Sequence, residues 1–363
     1  MRSLKILFTN NTLSARAGTE LWVRDMALAL RARGHQLAAY STLLGPVAEE
    51  LRAAGVPVFD DLNDVPWRPD VLHCHHHFEA MTALVRFPGV PAVFICHGAV
   101  PWEEEPPLHP SIRRWIAVDG PCRERLLDAG VPADQIMTLR NFVDLARFTP
   151  RSALPDRPRR ALLFGNQLNE SNGLPVVRKA CRREGIEMEA AGLAVGRVVD
   201  NPEKLLREFD VVFAKGRGAL EAMAVGCAVI LCDAPGLGPY VRTERLSPLR
   251  DLNLGFRTLT DPITVDGVRE RLRGYDAADA ARVSAWVRDN ASLEGAASEM
   301  ERVYEECVAV GAETDAGEVS RAVARYIRSV SLRVKFHEGI RHERDLLAER
   351  VRRLAIRRFF LRQ

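Results

Sequence analysis

Residues 211–240 read VVFAKGRGALEAMAVGCAVILCDAPGLGPY, and the order of residue types in them decides the fold. Apolar Val211 to Ala214 runs into the turn Lys215-Gly216-Arg217-Gly218, strong helix formers follow, and a second apolar run leads into a loop. A strand that enters a helix through such a turn aims the helix N-terminus at whatever the turn contacts. The first amides of that helix have no intrahelical partners and carry the positive end of its dipole, so an anion docks there readily. Lys215 and Arg217 add formal charge at the same spot. Glu221 falls about one turn inside, where its carboxylate can reach back and accept two hydroxyl hydrogen bonds from a ribose or sugar diol. A phosphate cradle beside a diol acceptor points to a nucleotide or a nucleotide sugar. The plainer reading of the same residues is a helix packed on a parallel sheet, with Glu221 only favouring the helix dipole.

Working outward, 363 residues exceed one ordinary core, so two domains of similar size are expected. An apolar content of 47% and a charged content of 27% are those of a globular protein, and a net charge of +3 is too small to imply a nucleic-acid partner. The seven cysteines are odd in number and scattered, with no C-x-x-C, which points to buried thiols in a reducing compartment. The opening MRSLKILFTNN has too short an apolar run for a signal peptide, and no stretch approaches the roughly 20 apolar residues that span a bilayer. The expected location is the cytoplasm.

Ahead of the deciding stretch, Lys5 to Thr9, Gln36 to Tyr40 and Val56 to Phe59 alternate with helices over Thr19 to Arg33 and Pro46 to Ala54, a βαβ series that implies a parallel sheet covered on both faces. Gly18 sits at the entry to the first helix and Gly34 caps its end. His73, His75 and His77 would face one way on a strand and invite a metal reading. Against it, the stretch ends the strand and no neighbouring Asp, Glu or Cys has ligand spacing, so no metal is expected. These histidines divide between lining a cleft and packing, with His75 a candidate for the cleft. Ala92 to Cys96 delivers His97 at its carboxyl end, where open α/β sheets bind ligands; a core histidine bonded to backbone is the alternative. The loop Pro101-Trp102-Glu103-Glu104-Glu105-Pro106-Pro107 could admit a hydroxylated acceptor beside Trp102, although a solvated charge run is the favoured reading.

Several segments carry a family resemblance. Glu221 to Ile230, EAMAVGCAVI, is similar to the EAMAxGxPVI donor-site segment of family 4 glycosyltransferases. Residues 17–41, AGTELWVRDMALALRARGHQLAAYS, resemble the family's GGxExxVxxLAxxLxxRGHxVxVxT opening, with Ala17 in place of the first glycine. Residues 117–150, AVDGPCRERLLDAGVPADQIMTLRNFVDLARFTP, resemble AVSxxxRexLxxxGVPxxxIxVIxNGVDxxxFxP and keep Asn141, Val143, Asp144, Phe148 and Pro150; Asp119 stands for a Ser or Thr and Phe142 for a Gly. Residues 70–76 look like the family's DVVHxHH, which binds no metal.

The resemblance spans about Lys5 to Val310. It implies a GT-B fold, two Rossmann-like parallel-sheet domains facing across a cleft: an acceptor-side domain over 1–150, a donor domain over 151–310, and a basic amphipathic helical tail over 311–363. It further implies transfer of a sugar from a nucleotide-sugar co-substrate to a glycan, lipid-linked or small-molecule acceptor, with retention and with neither metal nor cofactor. His97 and Glu221 match catalytic positions. Gly18, Lys215, Gly216, Arg217 and Gly218 fall with Glu221 on the donor side, while His75, Trp102 and Asn141 fall on the acceptor side or the cleft wall.

Two departures count against activity. The GRLxxxKG segment, whose Arg and Lys clamp the donor phosphates in the family, is here Gly165-Asn166-Gln167-Leu168-Asn169-Glu170-Ser171-Asn172-Gly173, and Phe213 occupies the position of the family's first Glu. Lys215 and Arg217 are expected to supply the missing charge, since a desolvated diphosphate needs compensation. A catalytically silent nucleotide-sugar-binding protein fits the same departures, and a nucleotide-sugar epimerase is a weaker third reading. The glycine-rich Asp233 to Pro239 is expected to be a loop and carries no G-x-G-x-x-G. In the tail, Val319, Val323, Tyr326 and Val330, then Leu347, Val351 and Leu354, recur at helical spacing and Phe359-Phe360-Leu361 lie near the end. With its excess of arginine the tail could lie on an anionic membrane surface, or pack on the body or another subunit.

Overall fold

The computed structural model describes residues 2–311 and 314–360. Its first half runs β1 (Lys5–Thr9), α1 (Gly18–Ala32), β2 (Gln36–Tyr40), α2 (Pro46–Ala53), β3 (Val58–Phe59), β4 (Val71–His75), α3 (His77–Arg86), β5 (Ala92–Cys96), β6 (Ile112–Ala117), α4 (Gly120–Asp128) and β7 (Ile136–Thr138). The seven strands form one sheet in the order β3-β2-β1-β4-β5-β6-β7, and each pairing is parallel. The order reverses between β1 and β4, which opens a crevice at their carboxyl ends. Strands buried on both faces need apolar side chains at every position, and β5, Ala-Val-Phe-Ile-Cys, is buried throughout. On α1, Trp22, Val23, Met26 and Leu30 repeat at the helical period and join that core, and Gly34 at φ +93° stops the helix.

The second half runs β8 (Arg160–Phe164), α5 (Leu174–Arg183), β9 (Glu187–Ala191), α6 (Pro202–Leu206), β10 (Val211–Ala214), α7 (Gly216–Val225), β11 (Ala228–Asp233), β12 (Gly236–Tyr240), α8 (Leu246–Asp251), α9 (Val265–Arg273) and α10 (Ala277–Asn290). Its sheet has the order β12-β11-β10-β8-β9. Val212 and Ala214 of β10 face one apolar cluster while Val211 and Phe213 face the other, so the strand is buried on alternate sides. The expected loop over 233–239 is instead a short turn followed by β12, which pairs antiparallel with β11. The glycines that suggested a loop are there for close approach: a Cβ on Gly236 would lie 2.7 Å from the Asp261 carbonyl oxygen, and one on Gly238 2.7 Å from that of Thr258.

The chain crosses between the sheets twice. The Val143 amide donates to the Ala291 carbonyl at 2.8 Å, and the Leu293 amide donates to the Val143 carbonyl at 2.8 Å. α11 (Leu293–Ala309) then returns to the first sheet, where Ala297, Met300, Tyr304 and Cys307 complete its core. Phe142, in the place of a family glycine, has no left-handed backbone and packs its ring 5.1 Å from Trp22. Asp119, in the place of a Ser or Thr, caps α4 by accepting from the Cys122 amide at 2.8 Å. All seven cysteines are unpaired and buried.

α12 (Ala316–Phe360) is the tail. Its first turns rest on the first sheet's side of the molecule through Ala322, Val323 and Tyr326, whose hydroxyl lies 2.8 Å from His77 Nδ1. Further along, Ile327, Leu332 and Phe336 are exposed. Val351, Leu354 and the Phe359-Phe360-Leu361 run lie outside the described side chains. Among the described residues no helix is long and apolar enough to cross a membrane.

Candidate functional site

Segments that follow the carboxyl ends of β1, β5, β6, β8, β9, β10 and β11 converge on one cleft of ≈ 690 Å³ between the two sheets. The second sheet's order reverses between β8 and β10, so the Gly165 to Gln167 loop and the start of α7 face each other there. Glycines make this half of the site possible. Gly192, at φ +144°, sits so close to β8 that a Cβ would fall 1.8 Å from the Gly165 carbonyl oxygen, and one on Gly218 would touch the Phe164 ring at 3.1 Å. Around Gly18, in contrast, a Cβ would meet nothing within 4 Å, so the entry to α1 opens on free cleft.

α7 begins at Gly216, inside the stretch read from the sequence as a turn, so Arg217 falls in its first turn and Glu221 one turn on. The Gly216 amide donates to the Leu254 carbonyl at 2.8 Å, which leaves the Arg217 and Gly218 amides for an anion. Glu221 is 5% exposed and accepts from Arg217 Nε at 2.7 Å; Arg217 also donates through Nη2 to Asp25, on α1. Arg217 Nη1 is buried with no partner. Burial alone would lower the guanidinium's pKa, but the two carboxylates outweigh it and hold Arg217 charged. Burial also pushes Asp25 up, yet Arg217 and Arg24 bring it below the usual carboxylate range. Glu221, sharing one cation with Asp25, is left raised by burial.

The other cleft cations are paired as well. Lys215 Nζ lies 3.1 Å from Asp233, Arg24 bonds Asp25 at 2.6 Å and Glu50 at 2.8 Å, and Arg147 lies 2.9 Å from Glu203. Arg16 bonds Glu50 at 2.8 Å and also pairs with Asp200 across the cleft. Lys215 and Arg217 are therefore joined by three further arginines that the sequence reading did not single out, and each of the five has a carboxylate beside it.

On the opposite wall, His97 lines the cleft, as does Asn141, whose amide donates to Asn253 Oδ1 at 3.2 Å and whose carbonyl accepts from Arg250 at 2.9 Å. His97 Nε2 turns inward to His75 Nδ1 at 2.7 Å, and the rings stack 4.7 Å apart. His75 does not reach the cleft: β4 is buried on both sides, so its ring lies beneath His97 and stacks in turn on His73 at 4.9 Å. Burial lowers the pKa of His97 to about 4 and holds His75 well below its ordinary value.

Trp102 is likewise away from the cleft. It is half-buried against His77 at 5.3 Å and Phe78 at 5.2 Å, with the Arg333 guanidinium of α12 5.7 Å from its ring. The acidic loop around it is no solvated run, because Glu104 is 4% exposed. Its carboxylate accepts the His97 amide at 2.9 Å and lies 3.4 Å from His76 Nε2, and although burial pushes it up, the hydrogen bond from His76 and the nearby His97 hold it below the usual range. His76 needs that support: at φ 56° it has a left-handed backbone that a non-glycine residue adopts only under constraint. Among the described residues no three His, Cys, Asp or Glu are grouped to hold a metal ion.

Residues 61–147 match the family model for Glycosyltransferase Family 4. A glycosyltransferase from Rickettsia africae ESF-5 superposes with a TM-score of 0.63 at 13% identity, over 85% of this chain and 99% of that one. HepE from Anabaena, in complex with UDP-glucose, gives 0.60 at 15% identity over 84% and 100%. Sucrose-phosphate synthase from Thermosynechococcus elongatus gives 0.53 at 13% identity over 85% and 100%. The chain has the GT-B fold. No curated protein matches its sequence. In this GT-B chain Gly18, His97, Asn141, Lys215, Gly216, Arg217, Gly218 and Glu221 all reach the cleft between the two sheets. Asp25, Arg24, Glu104 and Gly192 were missed. Asp25 and Arg24 occupy unspecified positions of the opening pattern, and only a fold that brings α1 within reach of Arg217 on α7 gives them meaning.

Proposed function

We propose that the chain is a glycosyltransferase that moves a sugar from a nucleoside diphosphate donor to a hydroxylated acceptor. The observation that carries the reading is the convergence, in one cleft, of a glycine-flanked helix N-terminus with a buried guanidinium nitrogen left unpartnered, opposite a histidine delivered by the facing sheet. HepE, on a similar fold, is known in complex with UDP-glucose. In the reaction the bond between the anomeric carbon and the β-phosphate oxygen breaks, the acceptor oxygen bonds to that carbon, and the acceptor proton passes to the departing phosphate side. The charge that grows on the leaving group is met by the Arg217 and Gly218 amides and the Arg217 guanidinium, donors held in place before the reaction begins. Glu221, one turn in, accepts hydroxyls of the donor. Retention at the anomeric carbon and independence of metal and cofactor follow from the family resemblance. A cytoplasmic setting fits seven unpaired, buried cysteines, and the basic exposed part of α12 suits contact with an anionic membrane.

A silent binding protein is favoured by one specific observation: every cation of the cleft carries a carboxylate partner. Two measurements separate the readings. Thermal shift against UDP, GDP, CMP, ADP and TDP identifies the nucleotide, since ligand at 100 times Kd adds about 2.7 kcal/mol. Labelled donor with an acceptor panel then tests turnover; binding without transfer to any acceptor or to water would leave the silent protein, and no shift with any nucleotide would remove both readings.

A further inference from the structure

The histidines of β4 and α3 share a pattern. His73, His75 and His77 each make their ring bond through Nδ1, to Tyr304, His97 and Tyr326 respectively, and each leaves Nε2 buried without a partner. For His75 this fixes a proton. Its ring is fully buried and is held neutral, as is that of His97, so of the two nitrogens 2.7 Å apart one donates and the other accepts. If His97 Nε2 were the donor, the proton of His75 would have to sit on its own Nε2, as a buried N–H without an acceptor. The Trp22 ring, its centroid 5.1 Å from that of His75 and inclined at 63°, could offer at most a contact with its aromatic face, which recovers only part of a bond to oxygen. If His75 Nδ1 is the donor, the atom left over is a bare ring nitrogen, and an unused acceptor is tolerated better in protein interiors than an unused N–H.

We propose that His75 is a positioning residue that donates from Nδ1 to His97 Nε2 and thereby fixes His97 as the Nδ1–H tautomer, presenting a hydrogen-bond donor to the cleft. Two further contacts keep the ring in that pose. The His97 amide is tied to Glu104 at 2.9 Å, and the Trp22 ring stands edge-on at 5.4 Å. His97 in this state recognises an oxygen that accepts, a sugar hydroxyl or a phosphoryl oxygen, and has no bare nitrogen with which to take a proton from the acceptor. The inference rests on the glycosyltransferase reading for what His97 meets, but not for which nitrogen carries its proton.

The test is the long-range ¹H–¹⁵N spectrum of the imidazoles in the full chain labelled at histidine, with His97 assigned from the His97→Ala variant. Wild-type protein should show His97 as the neutral Nδ1–H form. His75→Phe, which keeps a ring in the stack but removes the donor, should shift His97 towards Nε2–H, and His75→Asn, whose side-chain amide can donate from nearly the same place, should restore Nδ1–H. An Nε2–H His97 in the wild type, or one unmoved by His75→Phe, overturns the proposal; the wild-type spectrum alone decides if His75→Phe does not fold. Where turnover is found, His75→Phe should lower kcat about 5-fold with donor affinity held, the effect of losing one ordinary hydrogen bond in the transition state, and His75→Asn should recover it. Absence of any transfer by a chain that shows the expected tautomer would count against the glycosyltransferase reading and leave the assignment of the proton standing.

Discussion

Asp25→Asn should tighten the binding of a nucleoside diphosphate. Asp25 stands on α1, is 6% exposed, and holds Arg217 of α7 across the cleft while also bonding Arg24 at 2.6 Å. A diphosphate docked at the amides of Arg217 and Gly218 would meet this fixed negative charge. At about 8 Å and an effective dielectric constant of about 20, two unit charges interact by about 2 kcal/mol. Removing one of them should therefore strengthen diphosphate binding by about 30-fold, at about 1.4 kcal/mol per factor of ten. The same exchange costs stability, but moderately, since asparagine keeps an oxygen for both arginines and only converts charge-assisted hydrogen bonds to neutral ones, about 1 kcal/mol each. Isothermal titration of the nucleoside diphosphate and of the parent nucleoside, with the melting temperature recorded alongside, reads both effects. The nucleoside should bind as before. If diphosphate affinity is unchanged or weaker in a folded Asp25→Asn protein, Asp25 is a strut that holds the two halves in register, and the idea that it competes with the phosphates for Arg217 is wrong.

Lys215→Met should weaken diphosphate binding by roughly 1.5–3 kcal/mol with little effect on the nucleoside, because Lys215 has a single carboxylate partner and remains partly exposed; equal losses for both ligands in titration would remove Lys215 from the phosphate side. Arg217→Met should register first as lost stability, about 3–5 kcal/mol in denaturant unfolding, because Asp25 and Glu221 would both be left buried without their shared cation. Stability should depend on pH through the buried histidines: burial lowers His109 to about 4, against about 6.5 unfolded, so between these values the unfolded chain takes up a proton that the native chain refuses, and stability falls as pH falls. His109→Asn should then lose less stability than the wild type between pH 7 and pH 4, by up to about 3 kcal/mol at about 1.4 kcal/mol per pH unit; parallel curves would contradict the assignment. Deleting residues 339–363, which hold eight arginines against three acidic residues, should leave nucleotide binding intact, since Arg333 and His337 stay on Trp102, and should reduce sedimentation with anionic liposomes in a salt-sensitive way; full-length protein that fails to sediment with them would dispose of the membrane role.

Periodicity made the strands and helices legible, because each is decided by residues a few positions apart. β5 is an unbroken apolar run, α1 repeats at the helical period, and Gly34 and Gly226 end their helices at φ +93° and +99°. The same local logic failed at 233–239. Glycine there was read for its backbone freedom, whereas Gly236 and Gly238 serve an edge strand that backbone from residues 258–261 approaches too closely for any side chain. A glycine needed for space and one needed for φ look alike in sequence.

The cleft was legible in its anchors and illegible in its charges, for a reason of distance along the chain. Gly216, Arg217 and Glu221 lie within one helix turn or two, and a strand-turn-helix pattern brings them together by itself. What decides their chemical state comes from elsewhere: Arg217 meets Asp25 across 192 residues, Arg16 meets Asp200 across 184, and His73 meets Tyr304 across 231. From the sequence alone Lys215 and Arg217 were spare positive charge waiting for a phosphate. In the fold they are already neutralised, so binding a diphosphate is an exchange of anions in which Asp25, Glu221 and Asp233 must give up part of their hold. That exchange makes affinity a small difference between two large electrostatic terms, and it places the control of that difference on α1, a helix of the opposite half whose sequence pattern marks only its packing face.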